Sequence, residues 1–249
     1  MERVKNPGEP SEFYLHSGSV PLASRISQHA RRKMFEHFMR RFQPGPETAV
    51  LDVGVTSDTS FAESNYLERL YPYPQKITCV GTEDGSHLMR EYPGLLYSRI
   101  QAGRPLPFRD SEFDIAFSNA VVEHTGDRAA QAAFIHEVCR VAKSFFITTP
   151  SRWFPFEHHT GLPFVHYLPA PIFRGLLCRT RYRRWADERN LNILTARELR
   201  ELFPPNVPVD IQIIRIAGFP SNMIAASRKG ASAVNPLHHH GKGCCVDQR

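Results

Sequence analysis

Cysteine is scarce in this chain, with five in 249 residues: Cys79, Cys139, Cys178, Cys244 and Cys245. The count is odd and three of them sit inside apolar or helical patterns. That excludes a disulfide framework and points to a reducing compartment. No run of about 18 apolar residues occurs, so no membrane-spanning helix is expected. The first ten residues are polar and lack the apolar core of a secretory signal. Together these absences set the expectation of a cytoplasmic protein. Glycine (15) is outnumbered by proline (20), a balance that points to rigid loops beside a regular core. Acidic side chains are the minority charge, 25 against 31 Lys and Arg, for a net charge of +6. A basic surplus can mark nucleic-acid or anionic-membrane binding. Here it is dispersed, with local concentrations over 25–41 and 174–189, so nucleic acid is not the expected partner.

What is present is the composition of a soluble globular chain: 41% hydrophobic, 22% charged and 11% aromatic. That excludes a collagen, a coiled coil or wholly disordered material. A chain of this length buries roughly three quarters of its unfolded surface, so one large domain with extensions is expected. Residues 1–21 read as an irregular lead-in. From Ser24, Ile26, Ala30, Met34, Phe38 and Phe42 recur every four residues, predicting a helix. Its other faces carry Arg25, Arg31, Arg32, Lys33, Arg40 and Arg41. Either the helix docks its apolar stripe on the domain, or it offers a basic face to phosphates or lipid headgroups. Pro44-Gly45-Pro46 breaks the pattern.

Short apolar runs follow at 48–54, 76–81, 95–100, 113–119 and 144–149, separated by helical patterns over 61–70 and 128–142. Strands alternating with helices predict right-handed βαβ units and a parallel sheet. Residues 151–190 break the rhythm with aromatics, His and Pro, then Arg. They read as an insertion with short helices of its own. Thr195 and Glu198 form a capping box that opens a helix to about Phe203. Val209–Ala217 and Asn222–Ser227 read as strands linked by Gly218-Phe-Pro-Ser221, an antiparallel hairpin. The expected organisation is an N-terminal segment 1–45 with the basic amphipathic helix, a main domain 46–228 containing the 151–190 insertion, and a disordered polar tail 229–249.

In open α/β sheets, ligands bind beyond the carboxyl ends of the strands. After the first strand stands Asp52-Val-Gly-Val-Thr-Ser-Asp58. A dinucleotide site would need G-x-G-x-x-G here, yet Thr56 holds the place of the second glycine. A pyrophosphate-binding nicotinamide enzyme is therefore disfavoured.

With Val50-Leu-Asp-Val-Gly54, Leu106-Pro-Phe-Arg-Asp-Ser-Glu-Phe-Asp114, Ser118-Asn-Ala-Val-Val-Glu-His124 and the closing hairpin, residues 46–228 resemble a class I S-adenosylmethionine-dependent methyltransferase of the type 11 kind. The resemblance implies an α/β fold, a doubly wound, Rossmann-like seven-stranded sheet with its last strand antiparallel and helices on both faces. It implies S-adenosylmethionine as cofactor. The cofactor would contact Asp52, Val53, Gly54 and Thr56 after the first strand, with Asp52 near the methionine amino group. Thr82, Glu83 and Asp84 follow the second strand. Glu83 is the first choice for the ribose hydroxyls, since a carboxylate accepts from two donors, and Asp84 the second. Asp84 could equally cap a helix. Gln101 and Ala102 would lie near the adenine, where relatives often carry an Asp, and Ser118 and Asn119 end the fourth strand.

For chemistry, a sulfonium methyl needs an aligned nucleophile and little water. Glu123 and His124 stand where the methyl is expected, His124 as a base or as a shaper of the pocket. Trp153, His158, His159 and His166 make a candidate substrate lid, or else an aromatic cluster that packs the insertion. A metal site from Glu157, His158, His159 and His166 lacks a standard zinc spacing, so no metal is expected. The expected function is methylation of an oxygen or nitrogen on a small molecule, glycan or lipid precursor. The alternatives are an inactive cofactor-binding relative and an RNA methyltransferase using the 25–41 helix.

Overall fold

The computed structural model describes residues 21–58 and 64–227. Residues 1–20 of the expected lead-in, the polar tail and the first residues of the helix predicted from Phe61 fall outside the described residues, while Pro21 already belongs to the first helix.

Seven strands form one sheet: β1 (Val50–Val53), β2 (Ile77–Gly81), β3 (Leu96–Arg99), β4 (Phe113–Asn119), β5 (Ala142–Pro150), β6 (Val209–Ile216) and β7 (Phe219–Ser227). Their order is β3-β2-β1-β4-β5-β7-β6. The first five strands are mutually parallel, and β7 runs antiparallel to both β5 and β6. The helices are α1 (Pro21–Phe42), α2 (Tyr66–Leu70), α3 (His87–Glu91), α4 (Arg128–Val141), α5 (Ala170–Cys178) and α6 (Ala196–Glu201). The strand order reverses between β1 and β4, the topological switch point where such sheets bind ligands.

Strand alternation divides the core into two layers. Leu51, Val53, Ala116 and Ile147 face Ile135 and Val138 of α4 and Leu199 of α6. Val50, Ile115, Phe117 and Phe146 face Met34 and Phe38 of α1 and Leu67 of α2. Both faces are covered, which accounts for the near-continuous apolar runs of β1 and β4. The basic helix thus docks its apolar stripe on the sheet. Phe38 meets Phe117 and Phe146 edge-on at 5.4 and 5.5 Å between ring centres. Arg41, one of its cations, pairs with Asp210 of β6 at 2.6 Å.

Two boundaries depart from the sequence reading. The hairpin turns on Ala217-Gly218, not on Gly218–Ser221, and β7 begins at Phe219. Both turn residues have positive φ, 49° and 85°. That geometry matches the twist of the flanking strands, and glycine adopts it freely. Pro220 is accommodated because the ladder shifts register beside it, between Ile214 and Arg215. At the other boundary, α4 runs directly into β5, which starts at Ala142 and is longer than its apolar run.

The insertion has a small core of its own, in which Phe173 and Leu177 of α5 pack with Trp185, Ala186 and Leu191. Buried Gln131 of α4 ties it to the sheet by donating to the carbonyls of Val122 and Asn192. Thr195 and Glu198 form the expected capping box at the start of α6.

Candidate functional site

A cleft of about 1700 Å³ opens at the carboxyl ends of β1, β2 and β4, walled by α1 and by the insertion. Of the candidate residues, Val53, Gly54, Thr56, Thr82, Glu83, Gln101, Ala102, Asn119, Glu123, His124, His158 and His159 line it. Asp52, Asp84, Ser118, Trp153 and His166 do not.

One end of the cleft is built by the turns after β1 and β2. Gly54 and Val55 donate their amides to Val80 O at 2.8 and 3.2 Å, folding the first turn onto β2. Gly54 has φ +105°, and a Cβ there would lie 2.2 Å from Cγ2 of Val121. Only glycine allows this turn to close against the residues that follow β4. Glu83 Oε2 accepts from Thr56 Oγ1 at 3.1 Å, Ser57 N at 3.2 Å and Ser57 Oγ at 2.9 Å. Thr56, at the place of the second glycine of dinucleotide enzymes, and its neighbour Ser57 thus anchor the acid after the second strand. Oε1 of Glu83 accepts no hydrogen bond from the described residues. Asp84 instead accepts from Ser86 N just before α3, a local turn contact. Gln101 and Ala102 line the cleft in an exposed loop.

Asp52 takes a different direction. Alternation along β1 places it with Val50 on the α1–α2 face, where it lines a small side pocket bordered by Gly54, Thr56 and Asn119 of the cleft. There it is 6% exposed beside the fully buried Glu68 of α2. Glu68 Oε1 accepts from Cys79 Sγ at 3.0 Å, and its side chain also meets that of Asp52. Burial, and then the Glu68 carboxylate, push the Asp52 carboxyl well above the usual carboxylate range. Ser118 is likewise internal, donating to Val53 O at 2.9 Å. Asn119 sits at the rim and accepts from Thr148 Oγ1 at 2.7 Å.

The other end holds a chain of titratable groups. His124 Nδ1 lies 2.7 Å from Asn190 O, so it carries a hydrogen and leaves Nε2 as an acceptor. His159 Nε2 is 3.1 Å from that nitrogen, and its Nδ1 is 2.8 Å from Glu157 Oε1. His159 therefore donates from both nitrogens, as an imidazolium. Burial opposes that charge, but the Glu157 carboxylate outweighs it and raises the His159 pKa. Burial would likewise raise Glu157, yet His159 and the amides of His159 and Thr160 bring it down to about 2. Burial, then His159, lowers His124 to about 3. Glu123 accepts from Thr149 Oγ1 at 2.9 Å through Oε2, while its buried Oε1 has no partner. Burial pushes this carboxyl up to about 7. The Nε2 lone pair that His124 would need as a base is directed at His159.

The remaining candidates split between cleft and scaffold. His158 lies in the cleft, stacked on Phe154 at 5.0 Å. Trp153 is half exposed and packs edge-on against Tyr167, while His166 is buried with Nε2 2.8 Å from Phe154 O. Both hold the insertion together outside the cleft. Sequence reasoning passed over three members of the site. Glu157 was weighed only as a metal ligand, and Asn190 acts through its carbonyl, which no sequence pattern marks. Arg31 of α1 lines the cleft, and its charge reaches Glu123. In the sequence it is only one of six cations on the basic faces of the helix; in the structure it donates to Ser27 Oγ at 3.2 Å.

Residues 65–145 match the family model described as a methyltransferase domain. No curated protein sequence matches the chain. Among solved structures, it resembles magnesium protoporphyrin IX methyltransferase from Synechocystis, solved with bound S-adenosylhomocysteine (13% identity, 85% of this chain and 90% of that one, TM-score 0.52). Geranyl diphosphate C-methyltransferase from Streptomyces coelicolor aligns over 84% of both chains at 13% identity and TM-score 0.51. The YcgJ protein from Bacillus subtilis aligns over 74% of this chain and 71% of its own, at 19% identity and TM-score 0.50. At these identities the likeness is one of fold.

Proposed function

We propose, on the premise that this chain carries a class I S-adenosylmethionine-dependent methyltransferase domain, that it methylates an oxygen or nitrogen of a largely apolar small molecule, glycan or lipid precursor. The cofactor supplies an electrophilic methyl group on a sulfonium. The residues present suit it: a glycine turn after β1, an anchored carboxylate with a spare oxygen after β2, and a cation on the cleft wall. Glu83 accepts the ribose hydroxyls through Oε1, pre-set by Thr56 and Ser57. Val53 and Gly54 present backbone to the methionine portion, and Arg31 balances its carboxylate. Gln101 and Ala102 border the adenine.

The observation that carries the acceptor reading is the size and lining of the cleft. Single small-molecule sites enclose roughly 300–1000 Å³, and this one is about 1700 Å³. Phe154, Phe156, Phe164, Ile216 and Phe219 line it in addition to the cofactor residues. A second, apolar ligand fits that surplus beside Glu123 and His159, and once seated it would displace water from them.

The test is calorimetric titration with S-adenosylmethionine and S-adenosylhomocysteine, followed by turnover in a cell extract. Micromolar binding by the parent is expected. Glu83→Ala should weaken it by about 1–3 kcal/mol, roughly 5- to 150-fold. Unchanged affinity in that variant would remove Glu83 from the ribose. Binding without turnover in any extract would favour the inactive-relative reading.

A further inference from the structure

Two segments far apart in sequence meet at the acceptor end of the cleft. Glu123 and His124 follow β4, and His159 comes from the insertion. A carboxylate oxygen and one ring nitrogen from each histidine lie within 4.8 Å of one another. The two Nε2 atoms are 3.1 Å apart. Two nitrogens bound tetrahedrally to one zinc ion stand about 3.3 Å apart, from Zn–N bonds of roughly 2.0–2.1 Å. The histidines therefore already stand near ligand spacing.

We propose that Glu123, His124 and His159 form a site for one divalent transition cation of the zinc type. Four features of the surroundings are those of a built metal site. First, the two Nε2 atoms face each other at 3.1 Å, so a cation entering between them meets both. Second, the opposite nitrogen of each is held by an outer partner, Asn190 O for His124 and the Glu157 carboxylate for His159. Such partners fix the tautomer and orient the ring of a metal ligand. Third, Glu123 is 1% exposed, yet its Oε1 has no hydrogen-bond partner among the described residues. An unpartnered carboxylate oxygen in the interior is costly unless something positive meets it. Fourth, all three residues line the cleft, so a fourth coordination position faces the space left for a second ligand. Two imidazoles and one carboxylate with one open position form the donor set of hydrolytic zinc sites, and they favour zinc over magnesium or calcium. The cation takes the place of the proton that His159 now directs at His124. It also brings positive charge beside the Glu123 and Glu157 carboxylates. Its role as a holder of an acceptor oxygen rests on the methyltransferase reading above, whereas the metal binding does not.

The polar tail complicates any measurement, because His238, His239, His240, Cys244 and Cys245 can capture metal themselves. The experiment therefore uses the full-length chain with these five residues replaced by Ser, titrated with Co²⁺ and followed by its visible d–d bands, then with Zn²⁺ in competition. One equivalent with the band intensity of a four- or five-coordinate ion is expected. His159→Ala and Glu123→Gln should abolish the band, with folding checked by far-UV circular dichroism. Glu157→Gln, which touches no metal, should weaken affinity by roughly 10- to 100-fold. A folded tail-substituted chain that binds no Co²⁺ would overturn the proposal. So would an unchanged band in His159→Ala. Because no cofactor is present, loss of S-adenosylmethionine binding in a parallel titration would count against the methyltransferase reading and leave the metal result standing.

Discussion

Asp52 illustrates how a single residue can be named by a motif and aimed by a strand. Its place before Gly54 put it among the expected cofactor contacts. The two-residue period of β1 turns its side chain into the layer of α1 and α2, beside Glu68 and a small pocket that Gly54, Thr56 and Asn119 also line. Motifs fix sequence position, but side-chain direction depends on where the strand ends and the turn begins, and one residue of difference reverses it. Glu83 shows the converse, since its acid follows the strand by two residues and still reaches the cleft. The Asp52–Glu68 pair has a consequence for stability. The raised pKa of Asp52 means that the folded protein binds more protons than the unfolded chain above the ordinary carboxylate value of 3.8. Stability must then fall as pH rises through that window. Asp52→Asn removes the buried ionisation. Its melting temperature should fall less than the parent's between about pH 5 and pH 8, with equal or higher stability at the alkaline end. Parallel slopes in the two thermal-melt series would place the pH dependence in another group.

At the scale of elements, legibility followed burial. The strands β1, β4 and β5 were plain as apolar runs because both faces are covered, and α1 and α4 were plain because one apolar stripe recurs at helical spacing. The edge strand β3 is mostly exposed, Leu96 at 62%, and shows itself only by its place in the alternation. The hairpin turn was misplaced because Pro220 reads as a loop residue, while the register shift opposite it keeps it within a strand. Of the two roles the sequence offers α1, docking is the one its packing shows, while Arg25, Arg32 and Arg40 stay exposed on its other faces. Phe38 is fully buried among Phe117, Phe146 and Tyr71. Phe38→Ala should therefore destabilise the protein by about 3–5 kcal/mol, the cost of a large core aromatic truncated to alanine. Urea unfolding of the variant and the parent measures this through the midpoint at constant slope. A loss below about 1 kcal/mol would mean that the helix is a dispensable appendage.

For the whole molecule, the site exists only when three parts meet: the strand-end turns, α1 and the insertion. The sequence marked each part, including the unusual density of aromatics and histidines after β5. It could not align them, because His124 and His159 become neighbours only through the docking of a unit with its own small core. That docking rests on the Gln131 bonds and on Asn190 and Asn192, whose contributions are largely backbone carbonyls and amides common to every residue. The same architecture sets an expectation for ligand-linked stability. Unfolding destroys both the turns around Glu83 and the α1 wall, so a ligand seated between them binds the native state alone. At a concentration of 100 Kd it should then add about 2.7 kcal/mol. A domain of this size shifts roughly 2–4 °C in Tm per kcal/mol, so a rise of roughly 5–11 °C is expected in differential scanning calorimetry with S-adenosylhomocysteine. Glu83→Ala at the same ligand concentration should show a smaller rise, in proportion to its lost affinity. A parent that binds the ligand by titration but melts at an unchanged temperature would mean that the binding site lies outside the cooperative core. The cleft between the sheet and α1 would then no longer be the place where the cofactor sits.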